Sequence, residues 1–264
     1  MTRELVVVKI GGKAAGEEER LREMAAEMAA LSKVRRFLVV HGGGAEVTSV
    51  SMRFGIEATF RDGVRLTSPA EMDVVDMVLS GRANKALVRI LASAGLAAVG
   101  LSGSDGAIFT ARPMGGDASG AARTGEVDAI DTRLLELLMS HGFLPVLSST
   151  SMDAQHRGMN VNADAVAFAL AVRLGARTLV FFSDIPGVLH EGKVIADLEA
   201  AQARELVRRT VIQGGMVPKV TASLEAVAAG VGSVVIGRYD GTGSLARMLE
   251  GSSGTRIHGA KETT

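Results

Sequence analysis

Apolar and polar positions along this chain switch repeatedly between two periods. Leu5 to Ile10 is an unbroken, largely β-branched run closed by Gly11-Gly12, the pattern of a strand buried on both faces. From Glu17 to Leu31 the apolar residues Leu21, Met24, Ala25, Met28 and Leu31 recur at helical spacing. Phe37 to Val40 is a second apolar run, stopped by His41-Gly42-Gly43-Gly44, and a helix is predicted from about Ala45 to Phe54. Strand, helix and strand in that order predict parallel pairing through a right-handed crossover.

Farther along, Thr59 to Leu66 predicts a β-hairpin turning at Asp62-Gly63. Two helices follow, Pro69 to Leu79 and Arg82 to Ala94, with Pro69 suited to a first helical turn. Ala97 to Leu101 and Phe143 to Leu147 are apolar strands, and Thr132 to Ser140 is an amphipathic helix. Between them, Ile108 to Val127 is polar and glycine-rich, predicting an irregular hairpin on the rim. The second half repeats the alternation with a helix at Asn162–Leu174, a strand at Thr178–Phe182, helices at Glu199–Arg209 and Val217–Ala229, and a late strand at Ser233–Ile236. The class is α/β. With no linker in evidence, residues 1–264 read as one domain of two lobes dividing after about Ser149.

Composition narrows this picture mainly by exclusion. Apolar residues make up 47% of 264 residues and charged ones 22%, enough for a sizeable core. Lys plus Arg and Asp plus Glu each number 29, so no general nucleic-acid or acidic-membrane surface is expected. The absence of cysteine removes disulfides, thiol catalysis and thiolate metal sites. With no signal-peptide pattern ahead of Leu5, and no apolar run near the roughly 20 residues that span a bilayer, a cytoplasmic location is expected.

Several strand ends carry residues suited to anions. Lys9 precedes Gly11-Gly12 at a strand's carboxyl end, where parallel sheets bind ligands and bare amides can approach phosphate; a plain turn with a solvated lysine is the alternative. His41-Gly42-Gly43-Gly44 exposes amides at a helix start but has neither the Gly-Lys-Ser/Thr of a Walker loop nor the spacing of a dinucleotide loop. His41 itself reads as a structural hydrogen-bonding residue rather than a base. Arg65 offers a planar fork for a carboxylate, or is an ordinary surface arginine. Asn160, Asn162 and Asp164 alternate, so an extended segment would point all three one way, and Asn162 also suits a helix cap. Ser183 to Leu189 is turn chemistry after a strand. Lys219 sits in the first turns of a helix, against the dipole, where an anionic ligand would compensate.

Together these stretches resemble the amino-acid kinase family, and within it the acetylglutamate kinases. VVVKIGG, LVVHGGG, FRDGVRLTS, EMDVVDMVLSGRANKALV, AVGLSGSDG, GFLPVLSS, MNVNADAVAFALAVRLGA, SDIPGVL, GGMVPKVTASLEAV and the final GTRI occur in the family's order along nearly the whole chain. The resemblance implies a three-layer αβα sandwich around a mainly parallel sheet, with an acyl-amino-acid-binding and dimerisation lobe followed by an ATP-binding lobe. It implies transfer of the γ-phosphoryl group of ATP, with Mg2+ bound to the nucleotide, onto the γ-carboxylate of N-acetyl-L-glutamate in arginine biosynthesis.

The same resemblance gives residues their roles. Lys9 and Lys219 match the lysines that neutralise charge on the transferred group, and Asp164 the aspartate that positions them. Gly43, Gly44, Arg65 and Asn160 match the acceptor site, with Asn162 in the same strip. Gly11 and Gly12 match the loop at the ATP phosphates, and Ser183, Asp184, Gly187, Val188, Leu189, Val211, Ile212 and Gln213 the nucleotide-contacting segments. No protein-held metal is implied. A homodimer through the helix around Glu71 to Leu79 is implied, without arginine feedback through a hexamer. Ala45 departs from the pattern, and HGGGAE with Thr124-Gly125 also resembles the kinase acting on aminoadipate or glutamate linked to a carrier protein. A non-catalytic amino-acid- or nucleotide-binding regulator is the reading from a different class.

Overall fold

In the computed structural model, which describes residues 3–11, 18–61, 63–116 and 122–260, the chain folds as two compact units. One comprises Met1–Phe37 and Ala167–Thr264, the other Leu38–Val166. The division falls within the strand Arg35–His41 and the helix Ala163–Arg173.

The first unit holds five strands in the order Asp197–Glu199, Thr255–His258, Ser233–Gly237, Thr178–Phe182 and Glu4–Ile10. Glu4–Ile10 runs parallel to Thr178–Phe182, with Lys9 opposite Phe181, and Thr178–Phe182 runs parallel to Ser233–Gly237. Val6, Val7, Val8, Leu179, Val180, Val234 and Val235 are fully buried, which is why these strands read as continuous apolar runs rather than alternating ones. Thr255–His258 is antiparallel to Ser233–Gly237. That strand, Asp197–Glu199 and the helix Ser244–Glu250 are additions to the sequence reading; each is too short to show a period. So is the hairpin Leu189–His190/Lys193–Val194, whose turn residues Glu191 and Gly192 have φ of 50° and 76°, a type I′ geometry.

The second unit has three parallel strands in the order Arg35–His41, Leu144–Ser148 and Ala98–Leu101. The expected hairpin turning at Gly63 is present as Phe60–Arg61 against Val64–Arg65. The segment expected to be an irregular rim is more ordered. Phe109–Pro113 pairs antiparallel with Thr124–Ile130, and these close into a four-stranded barrel with Thr150–Met152 and Gly158–Val161. The last two strands escape the sequence reading because each spans only three or four residues, and Thr150–Met152 buries small polar side chains. Thr150 and Ser151 are nonetheless buried and hydrogen-bonded.

The two helices expected after Pro69 are joined. Pro69–Asp76 passes through a π-helical segment, Met77–Ala83, into Asn84–Ser93. Ser80-Gly81 does not break the chain's helical course because Ser80 Oγ lies 2.6 Å from Thr150 Oγ1 and 3.1 Å from Ser148 Oγ. Around it Val78 and Leu79 pack with Val47, Met72, Val74 and Val75. Among the described residues no helix is long and apolar enough to cross a membrane.

The widened turn sets Asn84 beneath the glycine loop. Its Nδ2 donates to Val146 O at 2.9 Å and lies 3.0 Å from His41 Nε2, while Lys85 Nζ donates to Asn84 Oδ1 at 3.1 Å and to Gly100 O at 2.9 Å. A Cβ on Gly100 would fall 1.9 Å from Asn84 Oδ1, so only glycine lets the pair cross that strand. His41 Nδ1 lies 3.0 Å from Gly42 O. A carbonyl cannot donate, so Nδ1 carries the proton and Nε2 accepts from Asn84. His41 is 2% exposed, and burial, reinforced by the Lys85 ammonium, holds its pKa below the usual imidazole value.

A neutral native histidine that charges on unfolding makes the folded state lose stability as pH falls through the unfolded value near about 6.5. His41 is therefore expected to lower stability progressively between about pH 7.5 and 5.5, as its unfolded form takes up a proton. Thermal melts of the native chain and His41→Gln should show the native midpoint falling more steeply with acid. Parallel curves would mean that His41 is not held neutral.

Candidate functional site

The sequence-predicted residues fall into two groups, one in each compact unit. In Leu38–Val166, the strand Arg35–His41 ends at Gly42, and the helix Gly44–Arg53 starts with Gly43 as its N-cap. A Cβ on Gly43 would lie 2.8 Å from Leu79 Cδ2, so glycine there answers a close approach of the π-helical segment. Gly44 faces open space, leaving the first amides of the helix accessible to an anion.

Arg65 reaches this loop from the hairpin. Its Nη2 donates to Gly44 O at 2.9 Å and to Thr48 Oγ1 at 2.5 Å, and its Nη1 to Glu71 Oε1 at 2.6 Å. The guanidinium carbon lies 4.8 Å from the centroid of the Phe60 ring. The side chains of Arg65 and Glu71 are 9% and 2% exposed. The fork expected to hold a ligand carboxylate therefore already holds the protein's own Glu71. Ser68 caps the helix carrying Glu71 by accepting from its amide at 3.1 Å.

Asn160 lies in the strand Gly158–Val161, opposite Thr124 in the neighbouring parallel strand. Its Nδ2 donates to Thr67 Oγ1 at 2.9 Å. Thr124 Oγ1 donates to Arg65 O at 2.7 Å and accepts from Thr67 N at 2.8 Å. One buried hydroxyl thus ties the Arg65–Thr67 segment to the strand beside Asn160. Asn162 ends the extended segment: its Oδ1 accepts from Asp164 N at 2.8 Å, capping the helix Ala163–Arg173. The expected alternation of Asn160, Asn162 and Asp164 on one extended face is corrected here, since Asp164 already lies in the first helical turn.

In the other unit, Lys9 curls back over the end of its strand. A Cβ on Gly11 would lie 2.0 Å from Lys9 Nζ, so the ammonium occupies the space that any other residue's side chain would fill. Gly12 lies outside the described residues. Ser183 N donates to Gly237 O at 2.8 Å, and the loop continues through the exposed Asp184 to Gly187, where a Cβ would fall 2.7 Å from Thr255 Oγ1. Val188 N donates to the same hydroxyl at 2.8 Å and its side chain is buried, whereas Leu189 is 43% exposed. Val211, Ile212 and Gln213 follow the helix Ala200–Arg208; Val211 N donates to Leu206 O at 3.0 Å, Ile212 is buried and Gln213 exposed. Lys219 is half-buried in the first turns of the helix Met216–Ala228.

The sequence reading passed over Glu71, Thr67, Thr124 and Asn84 as site residues. Thr67, Glu71 and Asn84 stand inside motifs that carry the resemblance, and Thr124 is one half of the Thr124-Gly125 dipeptide. Nothing in the pattern singles out Glu71 as a partner of Arg65, because a helix's first turn is an ordinary place for a glutamate.

A sequence profile of the amino acid kinase family matches residues 4–238. The acetylglutamate kinase of Nostoc sp. is 41% identical over 250 residues, covering 93% of this chain and 83% of that protein. The acetylglutamate kinase of Acidiphilium cryptum is 39% identical over 267 residues, covering 96% and 89%. Among solved structures, N-acetylglutamate synthase from Neisseria gonorrhoeae, in complex with coenzyme A and N-acetyl-glutamate, superposes with a TM-score of 0.82 at 22% identity over 99% of this chain and 60% of its own. Carbamate kinase from Giardia lamblia bound to AMP-PNP gives 0.71 at 15% identity, covering 97% and 99%. These two establish the α/β architecture with a mainly parallel sheet.

Thr124 offers a direct check on how this region is held. Thr124→Val would leave Thr67 N–H and Arg65 C=O without their buried partner, at an expected cost of about 1–3 kcal/mol. Thr124→Ser keeps the hydroxyl and should recover most of that loss in a denaturant titration.

Proposed function

The chain belongs to the amino acid kinase family, and we propose that it transfers the γ-phosphoryl group of ATP to the γ-carboxylate of N-acetyl-L-glutamate. The observation that carries the reading is the pairing of Lys9 with Gly11, which leaves an ammonium against bare backbone at a strand's carboxyl end. Such a cation suits phosphate oxygens. The acetylglutamate kinases at 41% and 39% identity support the choice of acceptor.

A carboxylate acceptor is ionised at neutral pH and needs no general base. His41, neutral and committed through both ring nitrogens to Gly42 and Asn84, is not offered as one. An acceptor oxygen attacks the γ-phosphorus, the bond between that phosphorus and the β,γ-bridging oxygen breaks, and ADP leaves with its electron pair. Catalysis reduces to placement and charge stabilisation. In this reading Lys9 and Lys219 neutralise charge on the transferred group, and Asp164 orients its cationic partners. Gly11, together with Ser183–Leu189 and Val211–Gln213, receives the nucleotide. Gly43 and Gly44 present amides to the acceptor, Arg65 the N–H groups that remain after Glu71, Gly44 O and Thr48 are met, and Asn160 its carboxamide. Asn162 contributes through the cap it places on the helix of Asp164.

Magnesium would arrive with the nucleotide. Among the described residues no three His, Cys, Asp or Glu side chains come together as a cage, and an ion held chiefly by phosphate oxygens needs none. We also propose a cytoplasmic homodimer through the segment around Glu71 to Leu79, where Met77 is 52% exposed.

An acceptor screen of N-acetylglutamate, glutamate, aspartate, carbamate and UMP, read by ADP release, tests the assignment. N-acetylglutamate should be the preferred substrate, and turnover of another acid instead would remove it. Efficient use of the free acid would also exclude a carrier-linked substrate, for which Arg53 and Arg61 supply exposed positive charge while Lys13, the third candidate, lies outside the described residues. Lys219→Ala should lower kcat by about two orders of magnitude or more with the fold intact. Gly11→Ala should likewise fold, since only the flexible end of Lys9 must move, yet lose at least about tenfold in turnover.

A further inference from the structure

We propose that Glu71 is a positioning residue for the acceptor, acting through Arg65; this rests on reading Arg65 as an acceptor-binding residue. The guanidinium is held from several directions, by Glu71 Oε1 on one nitrogen, by Gly44 O and Thr48 Oγ1 on the other, and by the Phe60 ring. Thr48 is itself tied to the same loop, donating to Gly44 O at 3.0 Å. A long, rotamer-rich side chain is thereby fixed before any ligand arrives, so binding does not have to order it.

Stability alone gives no reason for a carboxylate at this position. Glu71 is 2% exposed and adjoins Met72, Val74 and Val75, themselves part of an apolar cluster. A buried ion pair is seldom more stabilising than well-packed apolar residues of similar volume. What Glu71 supplies that an apolar residue would not is direction. It holds one nitrogen of the fork while the glycine loop holds the other, so the loop and the arginine present their donors in a fixed relation. Because the pair sums to zero charge, an acceptor carboxylate would be recognised here by aimed N–H groups rather than by net positive potential.

The test is a pair of substitutions at position 71 in two backgrounds, with KM for the acceptor, KM for ATP, kcat and the thermal midpoint measured for each. In the native background, Glu71→Ala should raise acceptor KM about tenfold and move kcat and ATP KM less than about twofold, while Glu71→Gln, which keeps an oxygen acceptor, should stay within about threefold of native. In an Arg65→Lys background, where the fork is gone, neither change should move acceptor KM further. Equal effects in both backgrounds, or parallel shifts in both KM values, would overturn the proposal. If Glu71→Ala does not fold, Glu71→Gln in the two backgrounds decides by the same criterion. Should the native chain fail to use N-acetylglutamate, the acceptor reading falls, and the coupling is measured with the acid the screen returns; normal turnover with uncoupled variants removes only the role of Glu71.

Discussion

One buried carboxamide governs the carboxyl edge of the Leu38–Val166 unit. Asn84 gives one hydrogen to the backbone of Leu144–Ser148 and the other to the imidazole that ends Arg35–His41, and it takes a hydrogen from Lys85, which also grips Ala98–Leu101 at Gly100. Three strands are therefore levelled at the point where a glycine loop must leave the sheet. The imidazole's tautomer, the bareness of Gly100 and the entry of the chain into Gly43 and Gly44 all follow from satisfying that one buried group. An unmet donor or acceptor at such a depth is far more damaging than a met one is stabilising, so the arrangement is close to all-or-none.

Charge is handled differently in the two units. In the Leu38–Val166 unit it is cancelled locally, with Arg65 against Glu71. In the unit carrying Lys9 and Lys219, cations are set at a strand end and in a helix's first turns, the latter where the dipole disfavours them. A reaction that brings a polyphosphate to a carboxylate calls for this division. The acceptor must be gripped without being trapped, while the transferred group needs positive charge that grows more favourable as its bonds loosen.

Much of this was legible in the sequence wherever burial imposes a period. The runs at Leu5–Ile10, Thr178–Phe182 and Ser233–Ile236 read as strands because each is covered on both faces, and the His-Gly-Gly-Gly loop and Lys9-x-Gly announced themselves through glycines with few other uses. Legibility failed where small polar residues do the packing. Thr150 and Ser151 look like loop chemistry, yet both are buried in a strand, the hydroxyl of Thr150 bonded to Ser80 and that of Ser151 to Phe109 O in the barrel. It failed again at Ser80-Gly81, a pair that reads as punctuation but is carried through a wide turn by side-chain contacts from distant strands. The site shows the same boundary: the proposed ligand-binding residues lie in recognisable motifs, whereas Glu71 and Thr124, which bond to Arg65, show no pattern of their own.

The wide turn at Met77–Ala83 has a consequence for how this protein can vary in length. Surface loops accept insertions and deletions, and regular helices reject them; here the chain carries one helix that holds a surplus residue. Removing Gly81 would let Pro69–Ser93 close into an ordinary α-helix, locally a more comfortable one than it has now. Because one wide turn absorbs a single extra residue, the residues on either side would stay close to their present faces, and Asn84 would still point toward His41. A one-residue gap at this point would therefore mark the loss of the wide turn without the loss of the strand-levelling carboxamide.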